Sequence, residues 1–266
     1  MRQVLALEYD GRDFCGFQSQ PSGCSVQDAL ERALLAIAGQ SIRVTPAGRT
    51  DAGVHATSQI VHFDAPVARP PTAWVRGVNA HLPPSSSVLW CRTVTADFHA
   101  RFAASARHYT YLLLERRERP GLLRGRVGWH HARLDVESMH DAAQQLVGTH
   151  DFSSFRAASC QAKSPVKTLA RLDVSRAGRI VRFDVSADAF LQHMIRNIVG
   201  ALAEVGADRR PRDWIGELLD VADRTRGAPT FAADGLYFTG ADYDARFGLP
   251  ATRRPIGTLA GDDDDT

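Results

Sequence analysis

The segment His108-Tyr109-Thr110-Tyr111-Leu112-Leu113-Leu114-Glu115 has the composition of a buried strand, because aromatic and aliphatic side chains dominate it. It opens a second run of elements that repeats the order of the run before it. Each run consists of a strand, a helix, further strands and another helix. Strand runs separated by single helices are typical of α+β folds with mostly antiparallel sheets. We place the boundary between the runs near residues 95–106.

The first run contains a helix whose two ends are marked in the sequence. Ser25 begins it, Asp28 follows three residues later as in a capping box, and Gly39 is suited to end it. A strand over residues 2–9 precedes this helix and stops at a turn. The other elements predicted for this run are strands over 41–45, 58–64 and 87–94 and a short helix over 70–80.

The second run continues through an arginine- and glycine-rich connector over residues 116–128. Asp135 caps a helix that Gly148 ends. The later predicted elements are strands over 167–175 and 179–186, joined by a turn at Ala177-Gly178, and helices over 190–205 and 211–222. The predicted fold is therefore α+β, with two subdomains whose mostly antiparallel sheets are flanked by helices. Residues 1–100 form the N-terminal subdomain, 101–245 the C-terminal subdomain, and 246–266 a loop and acidic tail.

Composition favours a globular enzyme or binding protein of ordinary type. The 266 residues are 44% hydrophobic and 23% charged, which is enough to build a core. No apolar run approaches the roughly 20 residues that a membrane helix needs. The first residues become acidic too soon for a signal peptide, so we expect a cytoplasmic protein.

The basic residues are almost all arginines. Only Lys163 and Lys167 are lysines, so 30 of the 32 basic residues are arginines. The net charge is +2, and the aspartates at 262–265 account for four of the negative charges. A GC-rich coding sequence would explain the arginine excess, and so would phosphate recognition, for which the guanidinium group is suited.

Cysteine and histidine spacing gives no sign of a metal site. Cys15, Cys24, Cys91 and Cys160 form no C-x-x-C pair, and no cysteine or histidine cluster has zinc spacing. We interpret the four cysteines as isolated thiols in a reducing compartment. We expect neither a metal nor an organic cofactor.

The segment Ala47-Gly48-Arg49-Thr50-Asp51-Ala52-Gly53-Val54-His55-Ala56 lies between two predicted strands. Its glycines permit a tight or positive-φ backbone that holds side chains close to a ligand. On local chemistry Asp51 is a nucleophile, a general base or a turn-forming residue bonded to its own backbone. Thr50 and His55 we interpret as residues that shape the loop.

This loop resembles the catalytic loop of tRNA pseudouridine synthases of the TruA type, and further segments resemble the same family in the same order. Together they extend from about residue 4 to residue 240, although Phe17 stands where the family often has Trp and Gln192 where Tyr is common. The further segments are Tyr9-Asp10-Gly11 with Phe14, Gly16, Phe17, Gln18 and Gln20; Val78-Asn79-Ala80-His81-Leu82-Pro83; Asp97-Phe98-His99-Ala100-Arg101-Phe102 with Ala106-Arg107-His108-Tyr109-Thr110-Tyr111; residues 190–200; and Asp234-Gly235-Leu236-Tyr237.

The resemblance implies a pseudouridine synthase fold with a basic catalytic cleft and the isomerisation of uridine to pseudouridine in tRNA. Asp51 is then the nucleophile, which attacks either the ribose C1′ or the base C6. The chemistry is neutral in redox terms and uses no cofactor and no metal. Two rivals differ in class: a non-catalytic RNA-binding module of the same fold, and an unrelated hydrolase with an aspartate nucleophile.

The resemblance also assigns roles to three other residues. Arg196 pairs with the catalytic aspartate. The alternative is that Arg196 lies at the edge of its helix only so that its guanidinium group reaches solvent. Tyr109 stacks on the target base and transfers a proton at C5, with an aromatic residue packed in the core as the alternative; Tyr111 we leave as core. Arg49 helps to hold the flipped nucleotide, with a phosphate clamp or a structural ion pair as the alternative.

The expected partners are tRNA, through its anticodon stem-loop at uridines 38, 39 and 40, and a second copy of the chain in a homodimer. Both expectations come from the resemblance alone. RNA is bound mainly through phosphates and splayed bases, so exposed arginines are candidate contacts. The candidates are Arg12, Gln18, Arg101, Arg107, Arg116 and Arg117, with Gln20, Arg119, Arg124 and Arg126 as weaker ones.

Overall fold

A computed structural model of the chain describes residues 1–256, so the predicted acidic tail at 262–265 lies outside the described residues. By backbone contacts the chain divides into two units. Unit 1 consists of Met1–Arg107 and the described residues from Tyr237 onward, and unit 2 consists of His108–Leu236. This differs from the predicted division at 100 and 245, because a late strand returns to the first unit.

The described residues contain ten strands and five α-helices. The strands are β1 Arg2–Tyr9, β2 Thr45–Pro46, β3 His55–Asp64, β4 Ser86–Val94, β5 Ala106–Glu115, β6 Gly128–His130, β7 Gly148–Asp151, β8 Val166–Ala177, β9 Ile180–Ala187 and β10 Leu236–Asp242. The helices are α1 Val26–Ala38, α2 Pro71–His81, α3 Val136–Gln144, α4 Met194–Gly206 and α5 Trp214–Val221. The α+β class is confirmed.

The sheet of unit 1 has the strand order β4-β1-β3-β10, with β2 paired to the far part of β3. Strand β1 is antiparallel to both neighbours, so that Leu5 faces Val61 on β3 and Cys91 on β4. Strand β10 runs parallel to β3, with Tyr237 opposite His55. This pairing brings the chain back to unit 1 after unit 2 is complete.

Helix α1 has the ends that its sequence predicts. The Ser25 side chain accepts from the Asp28 N–H while Asp28 reaches back to Ser25, and Gly39 closes the helix with φ 74°. Leu30 and Leu34 are fully buried, and each such side chain stabilises the fold by about 2 kcal/mol. Helix α1 packs on α2, and α2 packs on β4, so the helices cover the sheet of their own unit.

In unit 2 the strand order is β5-β9-β8-β7, and β6 runs parallel to β5. Strands β8 and β9 form the predicted hairpin, which turns at Gly178 with φ 59°. Helix α3 packs on β8 and on α4. Helix α4 is buried along most of its length, as an apolar helix in a core should be.

Several predicted elements have different bounds, and three of them have a clear physical reason. The strand expected over 41–45 is reduced to Thr45–Pro46, because the Val44 N–H donates to the Glu31 carboxylate at 3.0 Å instead of to a strand. Helix α4 starts at Met194 and not at residue 190, since His193 has a left-handed φ of 62°. The helix capped by Asp135 ends at Gln144, and Gly148 opens β7.

The expectation of four isolated thiols is wrong for Cys15 and Cys24, which form a disulfide with Cα atoms 5.6 Å apart. The chain folds back between them, and the Cys15 N–H donates to the Cys24 carbonyl at 3.1 Å. Gly16 and Gly23 have φ values of 104° and 69°, which a glycine adopts without strain. The C-x-x-C criterion does not detect a pair nine residues apart.

Among the helices of the described residues, none combines the length and the apolar character that crossing a membrane requires.

Candidate active site

Asp51 lies on the loop between β2 and β3 in unit 1, and its side chain is half-buried. Thr50 before it is buried and Ala52 after it is exposed. The Val54 N–H donates to the Asp51 carbonyl at 3.2 Å, and Gly53 has φ 80°, so the chain turns sharply after the carboxylate. Asp51 therefore takes part in a turn while its side chain stays partly accessible, which is compatible with a nucleophile.

A buried hydrogen-bond network fixes the backbone on the N-terminal side of Asp51. The hydroxyl of Tyr9 lies 2.8 Å from the Thr50 hydroxyl, and the Gln59 amide donates to the Gly48 carbonyl at 2.8 Å. Tyr9 is only 4% exposed, and burial raises the pKa of its hydroxyl to about 12. Tyr9 therefore stays neutral at physiological pH and keeps its proton for hydrogen bonding.

The segment from Gly16 to Phe17 holds the same loop from another direction. The Phe17 N–H donates to the Thr50 carbonyl at 3.0 Å. A Cβ atom on Gly16 would lie 2.9 Å from that carbonyl oxygen, closer than side chains approach. Glycine is therefore required at position 16 both for space and for its φ of 104°. The Cys15–Cys24 disulfide closes the segment that carries these contacts.

The C-terminal end of the loop is anchored by His55, which is 3% exposed. Its Nδ1 accepts from the Gly11 N–H at 3.1 Å and lies 3.2 Å from an Asp10 carboxylate oxygen. The ring of Tyr237 on β10 stacks on the His55 ring at 4.6 Å between centroids. The Arg12 side chain hydrogen-bonds the Asp10 carboxylate and so lowers the pKa of that carboxyl group to about 2.

Two further arginines of unit 1 differ in their contacts with the protein. Arg49, on the same loop as Asp51, is exposed. Arg107 donates through Nε to the Ala47 carbonyl at 3.3 Å and through Nη1 to the Ala104 carbonyl at 2.9 Å. Arg107 thus supports the start of the Asp51 loop, a role for which the sequence gives no signal.

In unit 2, Tyr109 lies on β5 and is 8% exposed. The ring of Phe190 meets it edge-on, with centroids 5.1 Å apart. Tyr111 is fully buried and donates to the Ala232 carbonyl at 2.9 Å, so the prediction that it belongs to the core is confirmed. The two tyrosines therefore differ, since Tyr109 retains some access to solvent.

Arg196 lies in the first turn of α4 and is half-buried. Its Nε donates to the Phe231 carbonyl at 2.8 Å, and the Phe231 N–H donates to the Arg196 carbonyl at 3.2 Å. One turn further along, a Cβ on Gly200 would lie 2.4 Å from the Pro229 carbonyl oxygen. This face of the helix therefore lies against the loop Pro229–Phe231.

The remaining RNA candidates lie at the surface. Gln18 is exposed, Arg101 lies 5.6 Å from the centre of the Phe102 ring, and Phe102 itself is 76% exposed. Arg116 donates to the carbonyls of Glu118 and Arg119 at 2.8 Å, and Arg117 is exposed.

The structure brings Asp51 and Arg49 together on one loop of unit 1, while Tyr109 and Arg196 both belong to unit 2. Sequence reasoning missed Gln59, which carries no local signal because it lies within an ordinary strand. It also missed the contribution of Tyr9, although Tyr9 opens a segment already singled out. Within residues 1–256, no group of three or more potential ligand side chains has the arrangement of a metal site.

Comparison with known proteins gives one consistent result. The model of the tRNA pseudouridine synthase family matches residues 5–103 and 142–244. A protein of Thiobacillus denitrificans named tRNA pseudouridine synthase A is 59% identical over 250 residues, which cover 94% of this chain and 96% of that protein. Proteins of the same name from Chromobacterium violaceum and Dechloromonas aromatica are 58% and 56% identical, over 94% of this chain and 96% and 95% of theirs.

Proposed function

The chain belongs to the tRNA pseudouridine synthase family, and we propose that it isomerises uridine to pseudouridine in the anticodon stem-loop of tRNA, with Asp51 as the nucleophile. The observation that carries the proposal is the match of this family along both units, with the Asp51 loop inside the matched region. The target positions are uridines 38, 39 and 40, as the sequence resemblance implies.

The reaction replaces one bond to the ribose C1′ by another, without net oxidation or reduction. The bond between N1 of the base and C1′ of the ribose breaks, a bond between C5 and C1′ forms, C5 loses its proton and N1 gains one. Asp51 attacks either C1′ or C6, and both routes need a carboxylate that is held in place and is accessible. The half-buried side chain on a fixed backbone supports that role.

Tyr109 and Arg196 complete the proposed catalytic set. Tyr109 stacks on the target base and transfers the proton at C5; its ring is buried against the edge of Phe190 with 8% left exposed, which is consistent with this. Arg196 supplies the positive charge that an ionised Asp51 needs away from water. Because the Nε of Arg196 is bound to Phe231, the position of its guanidinium group is set before substrate arrives.

Arg49 is proposed to hold the flipped nucleotide, and its exposed side chain next to Asp51 supports this role. Gln18, Arg101, Arg116 and Arg117 are proposed as contacts to the RNA backbone, together with Arg12 and Arg107. Of these, Arg12, Arg107 and Arg116 also bind neighbouring groups of the protein, so removing any of them would disturb the local structure as well as the binding of RNA.

The working form that we propose is a cytoplasmic homodimer that needs no cofactor. The test is the release of tritium from tRNA labelled at C5 of uridine, with enzyme treated to remove metals. We expect release that continues after chelation and maps to positions 38, 39 and 40. No release from a folded sample that still binds tRNA would contradict the proposal and favour an RNA-binding protein without activity.

A further inference from the structure

A solvent-open cavity of about 560 Å³ lies in unit 2, beside the turn of the β8–β9 hairpin. Its lining is dominated by five arginines: Arg116, Arg117, Arg133, Arg176 and Arg179. Glu115 and Glu118 are the acidic residues of the lining, so the arginines exceed them by three charges. We call this the arginine cavity.

A buried ion pair joins the segments that form the arginine cavity. The Glu115 carboxylate accepts from the Leu134 N–H at 2.8 Å and from Arg176 at 3.1 Å, and its side chain is 5% exposed. Arg176 also donates to the Leu134 carbonyl. The Glu115 N–H donates to the Arg179 carbonyl at 2.8 Å. The end of β5, the segment after β6 and the hairpin turn are therefore held together. The residues at the opening of the cavity, which we call its rim, keep fixed backbone positions in the absence of a ligand.

Three arginine side chains of the rim make no polar contact within the described residues. Arg117, Arg133 and Arg179 are exposed, and their side chains form neither an ion pair nor a hydrogen bond within residues 1–256. Two other surface arginines of unit 2 do have carboxylate partners, since Arg171 pairs with Asp173 and Arg209 with Glu204. Three uncompensated guanidinium groups around one cavity repel one another, which an anion would relieve.

The residues that line the cavity indicate which kind of anion it binds. Among the lining residues the apolar ones are Ala132 and Gly178, and the one ring belongs to His131. A nucleobase stacks best on an extended aromatic surface, and this lining offers one imidazole ring besides the guanidinium planes. Guanidinium groups, in contrast, bind phosphate oxygens through paired hydrogen bonds.

We propose that the arginine cavity binds phosphodiester groups of the tRNA backbone, away from the reacting nucleotide. This inference rests on the proposed function. Glu115 is six residues beyond Tyr109 on β5, and a strand rises about 3.3 Å per residue, so the cavity lies about 20 Å from the proposed base-stacking site. The phosphates it holds therefore belong to a part of the tRNA other than the flipped uridine, and they add affinity without taking part in the chemistry.

The test compares two double variants that remove the same charge from unit 2. Arg133→Ala with Arg179→Ala removes two free arginines of the rim, and Arg171→Ala with Arg209→Ala removes two arginines that already have carboxylate partners. Filter binding of unmodified tRNA is measured from 50 to 300 mM KCl on an Asp51→Asn background, so that the RNA is not modified. Tritium release with the Asp51 enzymes gives kcat and KM.

For the rim variant we expect tRNA affinity to fall about tenfold and the slope of log K against log salt to become shallower by about 1.5 to 2, since two phosphate contacts are lost. KM should rise by a similar factor while kcat at saturating tRNA is unchanged. The paired-arginine variant should resemble the parent in all three quantities.

Three results would overturn the proposal. They are unchanged affinity and slope in the rim variant, equal losses in both double variants, and a rim variant that loses binding of inorganic phosphate but not of tRNA. The last result would identify a small-anion site. Absence of tritium release from the unsubstituted enzyme would instead contradict the proposed function, and the binding measurement would still report on the cavity.

Discussion

The loop that carries Asp51 and the helix turn that carries Arg196 are held in two different ways. Side chains and backbone from three other segments of unit 1 fix the loop, through Tyr9, Phe17 and Gln59. The helix turn is held by its own helix, by hydrogen bonds exchanged between Arg196 and Phe231, and by the Asn197 side chain, which donates to the Phe155 carbonyl and accepts from the Thr230 hydroxyl, each at 2.7 Å. A short carboxylate side chain follows its backbone closely, whereas a long guanidinium needs only one fixed nitrogen. We therefore expect substitutions at a distance to affect the loop more than the helix turn.

The largest effect should come from the carboxylate itself. Asp51→Asn keeps the shape of the side chain but removes the nucleophile, so we expect turnover to fall at least about 1,000-fold while tRNA affinity changes less than about threefold. Tritium release and filter binding measure the two quantities. Asp13→Asn, at an exposed aspartate of the same unit, is the control and should leave both unchanged. Substantial turnover by Asp51→Asn would exclude the proposed mechanism.

A substitution that displaces the loop without touching Asp51 should have the next largest effect. Gly16→Ala forces a Cβ against the Thr50 carbonyl and strains φ 104°, at a cost of about 1–3 kcal/mol. A shift of about 1 Å in a reacting group lowers turnover about 100-fold, so we expect a loss of about 10- to 100-fold.

Gly39→Ala is the matched control for this loss. Gly39 has φ 74°, but nothing lies within 4 Å of the position its Cβ would take. We expect it to lose about 1 kcal/mol of stability and no activity. Equal losses of turnover in the two variants would mean that backbone strain alone, and not contact with the Asp51 loop, explains the effect.

Substitution of Arg196 should have a smaller effect on turnover, and a positive charge alone at this position should not restore full activity. We expect Arg196→Ala to lower turnover about 10- to 50-fold, because one charge-assisted interaction of about 2 kcal/mol is lost. Arg196→Lys should recover only part of this, since lysine lacks the planar Nε–H that donates to Phe231. Full activity in the lysine variant would show that the anchor at Phe231 has no effect on the reaction.

Removing the hydroxyl of Tyr9 tests a hydrogen bond that supports the Asp51 loop from a distance. Tyr9→Phe removes the hydrogen bond to Thr50, so we expect turnover to fall about threefold to tenfold and stability by about 1–2 kcal/mol, with KM unchanged. A KM that rises while kcat stays constant would point to substrate binding instead of loop position.

The pKa of Tyr9 gives a pH signature for the same variant. The folded-state pKa is about 12, above the ordinary value of 10, because burial favours the neutral hydroxyl. Its contribution to stability is therefore complete below pH 10 and is lost between pH 10 and 12. Tyr9→Phe should unfold with a weaker pH dependence in that range, as thermal unfolding at pH 9 and pH 11 would show.

Local signals in the sequence predicted the elements that they encode. The ends of α1 follow from Ser25, Asp28 and Gly39, which act within a few residues of one another. The resemblance singled out Arg196, but the loop that its side of the helix contacts was not predicted. Pro229–Phe231 is about 35 residues away in the chain, and no periodic pattern encodes such a contact.

Long-range contacts account for what the sequence did not predict. Strand β10 returns to β3 across more than 170 residues, which is why the predicted subdomain bounds differ from the two units. The Val44 N–H turns to Glu31 instead of a strand, and Gln59 supports Gly48 from the adjoining strand. These bonds depend on which elements become neighbours, and the family motif identified Asp51 without indicating what holds it.

The Cys15–Cys24 disulfide should have the smallest effect on turnover although it closes a segment that contacts the Asp51 loop. Cys24→Ser leaves the Phe17–Thr50 hydrogen bond and the backbone bond between residues 15 and 24, so we expect turnover to change less than about twofold. Stability should fall by about 2–3 kcal/mol, the loop-closure entropy of a cross-link nine residues apart. Thermal unfolding with and without a dithiol reductant measures this: the reductant should lower the Tm of the parent to that of Cys24→Ser and leave the variant unchanged, with Cys160→Ser responding like the parent. A large loss of turnover in Cys24→Ser would mean that the loop depends on the covalent link more than on its hydrogen bonds, and the contrast with the Arg196 helix turn would then be one of cross-linking instead of packing.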